Sequence, residues 1–313
     1  MKRVIIVGSG GQDGGILFDR LSRGGCSVVG VERHSLRSTV PIEFKAVDIL
    51  RQSEVGALIE SFLPDAIYYL AAFHHSSEER QPTDQEAFEK GLAINVVGLI
   101  NFLESIQLKS TSSQLFYAVS SHVFGETMTK QQDETTPLRP ACPYGITKAA
   151  GLNCCRYYRL KHSLFVSAGI LYNHESIYRK SGFVSKRIIQ GAVEIKRGSR
   201  SKLVLGNLSS LVDWGYAPDY VEAMVRILQL DVADDFVVAT GELHSVREFV
   251  ELAFDELGLQ WDKYVEEDPG IALKPNRALV GDTTKLRSLT GWKPSKTFEQ
   301  MVRHLVREEE SRN

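Results

Sequence analysis

Residues 2–21 read KRVIIVGSGGQDGGILFDRL, a short apolar run that is followed at once by glycines and then by a helical pattern. Gly8, Gly11 and Gly14 are spaced three apart. Gly8 allows a tight turn, Gly11 allows the backbone to approach a pyrophosphate closely, and Gly14 allows close helix packing. A second apolar run, CSVVGVER, arrives at the distance that a βαβ unit requires. Together these features predict a dinucleotide site, with backbone N–H groups at the helix start holding the phosphates.

The alternation of strands and helices continues through the first half of the chain. The apolar runs AIYYLAA, LFYAVSS and LFVSAGILYN alternate with helical segments, which predicts a parallel sheet covered on both faces. Near Asn173 the pattern becomes polar and basic. We therefore predict an α/β fold: a Rossmann-type doubly wound parallel sheet with a smaller C-terminal substrate-binding lobe. Residues 1–172 form the dinucleotide-binding domain and 173–313 mainly the second lobe, and the chain crosses between them.

Composition argues against several classes of function. The chain has 313 residues, 43% of them hydrophobic, and a formal net charge of −2, so no basic excess indicates nucleic-acid binding. No apolar run approaches the ~18 residues of a membrane span, and the chain enters a strand without a secretory signal. The cysteines form no C-x-x-C pair and indicate free thiols in a reducing cytoplasm. The adjacent His74 and His75 lack metal-ligand spacing, so we expect no metal.

A candidate proton-transfer group lies in the stretches YAVSSHVFGE and CPYGITKAAG. Tyr144 and Lys148 are four residues apart and so share one helix face, and Ser120 ends a predicted strand upstream. A neighbouring ammonium lowers the pKa of a phenol from about 10 towards neutral pH. Such a tyrosine can move a proton on or off a sugar hydroxyl, and a serine hydroxyl can share that proton. The predicted dinucleotide site favours this interpretation over two exposed helix residues.

Short motifs are spread over nearly the whole chain. They are GQDG (11–14), LAA (70–72), PYGITK (143–148), LYNHES (171–176), FVSKRI (183–188), LGN (205–207), DWGYAPDYV (213–221), ATG (239–241), GDTTKL (281–286) and GWKP (291–294). With these motifs the chain resembles the extended short-chain dehydrogenases/reductases that act on nucleotide sugars, and more narrowly the GDP-mannose 4,6-dehydratase family. The glycine turn and the Tyr/Lys pair mark only the superfamily, whereas GQDG, NHES and DWG-x-x-x-DYV are specific to that branch.

The resemblance implies a mechanism and a substrate, a nucleotide sugar in which a hexose or heptose is linked to GDP. Tyr144 takes the proton of the sugar's 4-hydroxyl while carbon 4 gives a hydride to the nicotinamide. Lys148 holds the cofactor ribose and lowers the pKa of the tyrosine, and Ser120 hydrogen-bonds the same hydroxyl. In a dehydratase, a carboxylate two residues after the Ser/Thr then removes the proton of carbon 5. The 6-hydroxyl leaves, and the hydride returns to carbon 6.

The position of that carboxylate holds His122 in this chain. A neutral imidazole, with a pKa of about 6.5, is a competent base at neutral pH, so dehydration with His122 as base is one hypothesis. A 4-reductase or epimerase that does not dehydrate is the alternative, with His122 lining the pocket. A non-catalytic dinucleotide-binding regulator is the hypothesis from another class. The joint presence of Ser120, Tyr144 and Lys148 argues against it.

This chain departs from the family at one position of a motif that binds the substrate. The family has an arginine just before the Asp of DWG, where it meets a phosphate of the nucleotide sugar, and this chain has Val212. Four basic residues are candidates to supply the missing charge: Lys186, Arg187, Lys274 and Arg277. Three polar residues in family motifs are further candidates for substrate binding: Asn173, His174 and Asn207. A solvated helix face is the simpler interpretation of Lys186 and Arg187.

Two signals for the cofactor conflict. Glu32 ends the second strand and favours NAD, because an acidic residue there accepts from the ribose 2′-hydroxyl and repels a 2′-phosphate. Arg33 and His34 align with the basic run by which the dehydratases hold NADP, and Arg179 matches an arginine of the same purpose. We predict NADP, with NAD as the alternative. The further cofactor candidates are Gln12, Asp13 (alternatively a helix cap), Asp48 and Ile49 (beside the adenine), Leu70, Ala71 and Ala72.

The resemblance also implies homo-oligomers. In the superfamily two long helices, which in this chain are 85–107 and the helix of Tyr144, pack across a two-fold axis. The dehydratase branch also forms tetramers around the cofactor's phosphate loops, which Arg33 and Arg179 could serve. We therefore expect a homodimer or a homotetramer.

Overall fold

The computed structural model describes residues 2–32, 44–74, 82–268, 270–271 and 278–312. The described strands are β1 (Arg3–Val7), β2 (Ser27–Glu32), β3 (Phe44–Ala46), β4 (Ala66–Tyr69), β5 (Gln114–Ser120), β6 (Val166–Leu171), β7 (Asn173–Glu175), β8 (Leu203–Leu205), β9 (Leu211–Val212), β10 (Trp214–Tyr216), β11 (Asp235–Val238), β12 (His244–Ser245) and β13 (Val265–Glu267). The described α-helices are α1 (Gln12–Arg23), α2 (Gln52–Phe62), α3 (Asp84–Leu92), α4 (Gly98–Lys109), α5 (Pro143–His162), α6 (Val184–Lys196), α7 (Ala217–Ile227), α8 (Val246–Glu256), α9 (Thr284–Thr290) and α10 (Phe298–Ser311).

A seven-stranded parallel sheet in the order β3-β2-β1-β4-β5-β6-β11 forms the first lobe. Strands β4 and β6 are buried along their whole length, because helices cover both faces of the sheet. The chain order reverses at β1, which lies between β2 and β4. In open α/β sheets ligands bind beyond the carboxyl ends of the strands at such a reversal. The predicted Rossmann-type fold is confirmed.

The second lobe is smaller and irregular. Strand β7 pairs with β10, β8 with β13 and β9 with β12. Helices α6, α8 and α10 enclose an apolar core of their own, in which the Trp214 ring stacks on that of Phe298 with the centroids 5.8 Å apart. The α10 side chains buried in this core are Phe298, Met301, Val302, Leu305 and Val306. Their spacing of three and four residues is that of one helix face.

The chain then returns to the first lobe with α7, β11 and α9. Strand β11 is the edge strand of the large sheet, beside β6. Tyr220 and Met224 of α7 and Leu286 of α9 belong to the apolar core of the first lobe. Residues 173–313 therefore contribute to both lobes, and the crevice between the lobes is built by segments that are distant in sequence.

The helix that runs from 84 to 109 changes its winding midway. Helices α3 and α4 are joined by a π-helical turn, Ala93–Val97. Asn95 in this turn is buried, its Nδ2 donates to Thr147 Oγ1 at 3.0 Å, and its carbonyl accepts from the Tyr117 hydroxyl at 3.0 Å. The two hydrogen bonds fix this helix to β5 and α5.

By length and composition the helix 84–109 could cross a membrane, and half of its apolar window is buried inside the fold, as in a core helix.

Candidate active site

The glycine turn between β1 and α1 leaves room that side chains would fill. Gly8 has φ +89°, and a Cβ there would lie 2.7 Å from the backbone nitrogen of Ala71. A Cβ on Gly14 would lie 2.7 Å from Ser9 Cα, so the predicted close packing of the helix on the turn is confirmed. Gly11 donates its N–H to the Gly8 carbonyl at 3.1 Å and precedes the first turn of α1. The turn, the LAA segment and the helix start thus form a cradle that fits a dinucleotide diphosphate.

We predict that Gly14→Ala destabilises the protein by about 1–3 kcal/mol, as overpacking of a filled site does. Gly15→Ala is the matched control one residue further along α1, because the nearest heavy atom to its new Cβ would be the Ser9 carbonyl oxygen at 3.9 Å. Thermal unfolding midpoints of the two variants measure the difference. Equal midpoints would show that the turn yields to the added methyl group.

The GQDG and NHES motifs bind each other across the crevice. His174 is buried, and its Nδ1 donates to the Tyr172 carbonyl at 2.6 Å while its Nε2 donates to Asp13 Oδ2 at 2.9 Å. Ser176 donates to Gln12 Oε1 at 2.8 Å. Burial raises the pKa of Asp13, but the interactions with His174 and its other partners lower that pKa by more. Burial lowers the pKa of His174. The interaction with the Asp13 carboxylate raises that pKa by more, so its net shift is upward.

These bonds correct two predictions. His174 has both ring nitrogens bound within the protein, so it holds the glycine turn against β7 and does not reach a substrate. Asp13 pairs with His174 and does not cap α1, whose N-cap residue is Gly11. Through this ion pair, β7 of the second lobe helps to hold the start of α1 in position.

Ser120, Tyr144 and Lys148 meet at the carboxyl edge of the sheet. Ser120 ends β5 and Tyr144 lies in the first turn of α5, where the Ser120 side chain lowers the pKa of the phenol. Lys148 lies one turn further along α5 and is buried. Its Nζ donates to the carbonyl of Ala118 at 2.7 Å and lies 4.6 Å from the centroid of the Tyr117 ring. The structure thus brings the predicted trio together.

The pKa values in the trio differ from the expectation based on sequence. Burial raises the pKa of Tyr144 to about 12, although the hydrogen bond with Ser120 and the charge of Arg179 lower it. Lys148, which was expected to lower this pKa, is not among the main groups that do so. Burial lowers the pKa of Lys148 itself to about 7, because removal from water disfavours the charged ammonium.

His122 lies beside this trio, as the sequence predicts. It is exposed and sits in a short 3₁₀ turn, Ser121–Val123, directly after β5. Its ring centroid is 5.9 Å from that of Tyr144, and its Nδ1 is 3.8 Å from Cys142 Sγ. Its backbone N–H donates to Ser120 Oγ at 3.4 Å. An imidazole that follows the serine by two residues is therefore placed next to the phenol.

A second histidine, which no sequence pattern assigned to the site, lies on the same tyrosine. The ring centroid of His74 is 4.6 Å from that of Tyr144 with the planes at 80°, and 5.6 Å from that of Phe183 with the planes at 13°. Phe183 is the N-cap residue of α6, and Arg179 Cζ lies 3.6 Å from its ring centroid. The one signal in the sequence for His74 was its position, because it lies soon after β4, the strand that neighbours β5 in the sheet.

Within the described ranges no group of three His, Cys, Asp or Glu side chains could hold a metal ion.

Comparison with known proteins identifies the family. The family model described as GDP-mannose 4,6 dehydratase matches residues 5–305. GDP-mannose 4,6 dehydratase 2 of Arabidopsis thaliana is 35% identical over 330 residues, which cover 98% of this chain and 87% of the relative. This chain belongs to the GDP-mannose 4,6-dehydratase family. The family member of Homo sapiens, GDP-mannose 4,6 dehydratase, is 32% identical over 340 residues that cover 96% of this chain and 90% of the relative.

Solved structures show the same fold at lower identity. The RMD of Pseudomonas aeruginosa, complexed with NADPH, has a TM-score of 0.81 at 24% identity, and the match covers 100% of both chains. The dTDP-glucose 4,6-dehydratase of Bacillus anthracis, in complex with NAD, has a TM-score of 0.85 at 18% identity, and the match covers 100% of this chain and 97% of the other. By its family, the chain is a nucleotide-sugar-modifying enzyme of the dehydratase and epimerase type.

Lys186 and Arg187, two candidates to bind the phosphates of the substrate, have different surroundings. Lys186 is buried, and its Nζ donates to Glu309 Oε2 at 2.6 Å and to the Ile177 carbonyl at 3.0 Å. This corrects its assignment, because the ion pair joins α6 to α10 and leaves the ammonium enclosed. Arg187 is partly exposed and donates from Nη2 to the Val204 carbonyl at 2.9 Å, so it is the better placed of the two for a phosphate.

Arg179 lies inside the crevice. Its Nε is 3.2 Å from Glu175 Oε2, and its charge lowers the pKa of both Asp13 and Tyr144. It therefore lies between the glycine turn and the proton-transfer trio.

The remaining cofactor candidates have varied contacts. The Glu32 carboxylate accepts from the N–H of Gly10 and, at 3.3 Å, from the Ser9 hydroxyl, so it is bound to the glycine turn. Asp48 Oδ1 accepts from the N–H of Leu50 at 3.0 Å, and Ile49 is buried.

Two candidate substrate residues lie in the second lobe. Asn173 is exposed at the start of β7, and Asn207 Oδ1 accepts from the N–H of Ser209 at 2.7 Å to form a turn. Five residues named from the sequence lie outside the described residues: Arg33, His34, His75, Lys274 and Arg277.

Proposed function

We propose that this enzyme oxidises carbon 4 of a GDP-linked hexose of the mannose type and completes a 4,6-dehydration. The observation that carries the proposal is the His122 ring, whose centroid lies 5.9 Å from that of Tyr144 at the end of β5, the strand that Ser120 terminates. The names of the relatives supply the substrate class.

Each side chain of the site has one task in this reaction. Tyr144 takes the proton of the 4-hydroxyl, and Ser120 hydrogen-bonds that hydroxyl and the phenol. Lys148, held by the Ala118 carbonyl, orients the bound ribose. His122 removes the proton of carbon 5 and later returns it. The chemistry that a bound nicotinamide supplies is to accept the hydride of carbon 4 and to return it to carbon 6.

We propose NADP as the cofactor, with NAD as the alternative. The Glu32 carboxylate accepts from Ser9 and Gly10, and these bonds hold it at the glycine turn. Arg33 follows it directly in sequence, and its guanidinium offers a bidentate donor for a 2′-phosphate.

Incubation of the purified protein with GDP-mannose and either NADP or NAD tests the proposal. Loss of one water from the sugar, measured by mass spectrometry, is the expected result. A net change in the cofactor's oxidation state without loss of water would instead support a 4-oxidase or 4-reductase, and an isomeric sugar of unchanged mass would support an epimerase. A histidine at the position of the family's carboxylate favours these candidates. A protein that binds the cofactor and leaves the sugar unchanged would support the non-catalytic regulator.

We further propose that two copies pair through the helix 84–109 and α5. Apolar side chains on these helices are exposed, among them Val97, Tyr157 and Leu160, the last at 84%. We predict that Leu160→Glu lowers the mass measured by light scattering from twice the 35.0 kDa chain towards a single chain. Leu289→Glu on α9, also at an exposed leucine, is the matched control and should keep the wild-type mass. A single-chain mass for the wild type would contradict the proposal, and four chains would indicate the tetramer.

The compartment that we propose is the cytoplasm. Cys26, Cys142, Cys154 and Cys155 are all free in the structure, which accords with a reducing environment.

A further inference from the structure

The proton balance of a 4,6-dehydration requires a path that the roles above do not supply. The hydride of carbon 4 ends on carbon 6, and the proton of carbon 5 leaves and returns. The proton of the 4-hydroxyl, which Tyr144 takes, is the one left over. The hydroxyl that leaves carbon 6 needs one proton to depart as water. The proton must therefore travel from Tyr144 to the leaving oxygen.

His74 lies where such a transfer can occur. The ring centroid of Tyr144 lies 4.6 Å from that of His74 and 5.9 Å from that of His122, and the two imidazole centroids are 6.5 Å apart. Both imidazoles thus flank the phenol, and they lie on different segments, His74 after β4 and His122 after β5. Two histidines at one tyrosine allow one to act as base while the other acts as acid.

The surroundings of His74 hold its ring in place. The ring stacks on Phe183, and the Arg179 guanidinium carbon lies 3.6 Å from the centroid of the same phenylalanine. Phe183 belongs to the second lobe and directly precedes α6. His74 is therefore held between the two lobes, at the crevice in which ligands of such sheets bind.

We propose that His74 is the catalytic acid of the elimination and the carrier of the proton from Tyr144 to the leaving hydroxyl. This inference rests on the proposed dehydration. In the starting form the Tyr144 proton has passed to His74, which leaves a phenolate beside an imidazolium. First, the O4–H bond breaks and the phenolate takes its proton. Next, His122 takes the proton of carbon 5, the carbon 5–carbon 6 double bond forms, and the carbon 6–oxygen bond breaks as the His74 imidazolium protonates the leaving hydroxyl to water.

The cycle then closes. Hydride addition at carbon 6 and return of the proton from His122 to carbon 5 complete the 6-deoxy-4-keto sugar. Tyr144 passes its proton to neutral His74, and both side chains regain their starting forms. The sum over all steps is the loss of one water from the sugar.

A substrate with a different leaving group tests the assignment. In the 6-fluoro analogue of GDP-mannose, fluoride leaves as an anion and needs no proton. His74→Gln should lower water elimination from GDP-mannose by about 10²–10⁴-fold, the range of general acid catalysis, and should slow fluoride release from the analogue much less, because only the leaving hydroxyl needs a proton. His304→Gln on α10, whose Nε2 lies 3.1 Å from the Tyr216 hydroxyl, is the matched histidine control and should leave both rates unchanged.

Equal losses on the two substrates would overturn the inference, because they would show that His74 acts by packing. Calorimetric binding of GDP-mannose to His74→Gln should match the wild type and checks the fold. If this variant fails to fold, His74→Gly with added imidazole is the second test, and elimination that does not rise with imidazole would overturn the proposal. Failure of the proposed function is distinct, because wild-type protein would then release neither water nor fluoride.

Discussion

Replacement of Tyr144 by phenylalanine should abolish turnover of GDP-mannose and leave cofactor affinity intact. The change removes only the phenol hydroxyl, whose pKa the Ser120 side chain lowers and which takes the sugar proton in the proposed reaction. A general acid or base contributes about 10²–10⁴-fold to the rate, so we expect kcat to fall by at least about a hundredfold. Product formation followed by mass spectrometry measures the loss.

Tyr157→Phe, on the face of the same helix that we propose as the contact between copies, keeps the apolar ring, so it is the matched control and should keep the wild-type rate. Calorimetric cofactor binding by Tyr144→Phe should equal that of the wild type, and its stability should change by no more than about 1 kcal/mol, the typical net value of one hydrogen bond. Turnover by Tyr144→Phe at the wild-type rate would show that the phenol is not the proton acceptor.

Replacement of His122 by alanine should stop dehydration at the step after oxidation. The His122 ring lies beside Tyr144, and the variant keeps the Tyr144 hydroxyl, so proton removal from the 4-hydroxyl should continue. Removal of the carbon 5 proton should fall by about 10²–10⁴-fold. Deuterium uptake at carbon 5 of the recovered sugar in heavy water measures this step directly, and uptake at the wild-type rate would contradict the role of base.

His122→Glu separates the chemistry of the base from its position. It places the carboxylate of the family in the same 3₁₀ turn, so dehydration should persist. The pH profile should change, because an imidazole is protonated below about pH 6.5 and a glutamate only below about 4.3. The acid limb of the rate should accordingly move to lower pH, and an unmoved limb would indicate that another group titrates.

Local patterns in the sequence were sufficient for the architecture. Gly8 and Gly14 are needed because backbone atoms of adjacent segments occupy the space of a Cβ, and such a need shows as glycine spacing after an apolar run. Tyr144 and Lys148 are near each other because they are four residues apart on one helix. Parallel strands bury both faces, so their apolar runs are recognisable one by one.

Contacts between distant segments could not be predicted in this way. Lys186 and Arg187 look alike in sequence, yet one is enclosed by Glu309 of α10 and the other is partly exposed. His174 looked like a ligand residue, and its partner proved to be Asp13, which precedes it by 161 positions. Whether a polar side chain binds the protein or a ligand depends on which partner burial brings within hydrogen-bond distance.

The sequence by itself determined the glycine turn, the parallel sheet and the Ser120–Tyr144–Lys148 trio, because each follows from spacing along one strand or one helix. Only the tertiary structure placed His74 against Tyr144 and bound His174 to Asp13. Those contacts depend on the order in which the strands associate and on how the second lobe closes over their carboxyl ends, and neither is encoded in the spacing of neighbouring residues.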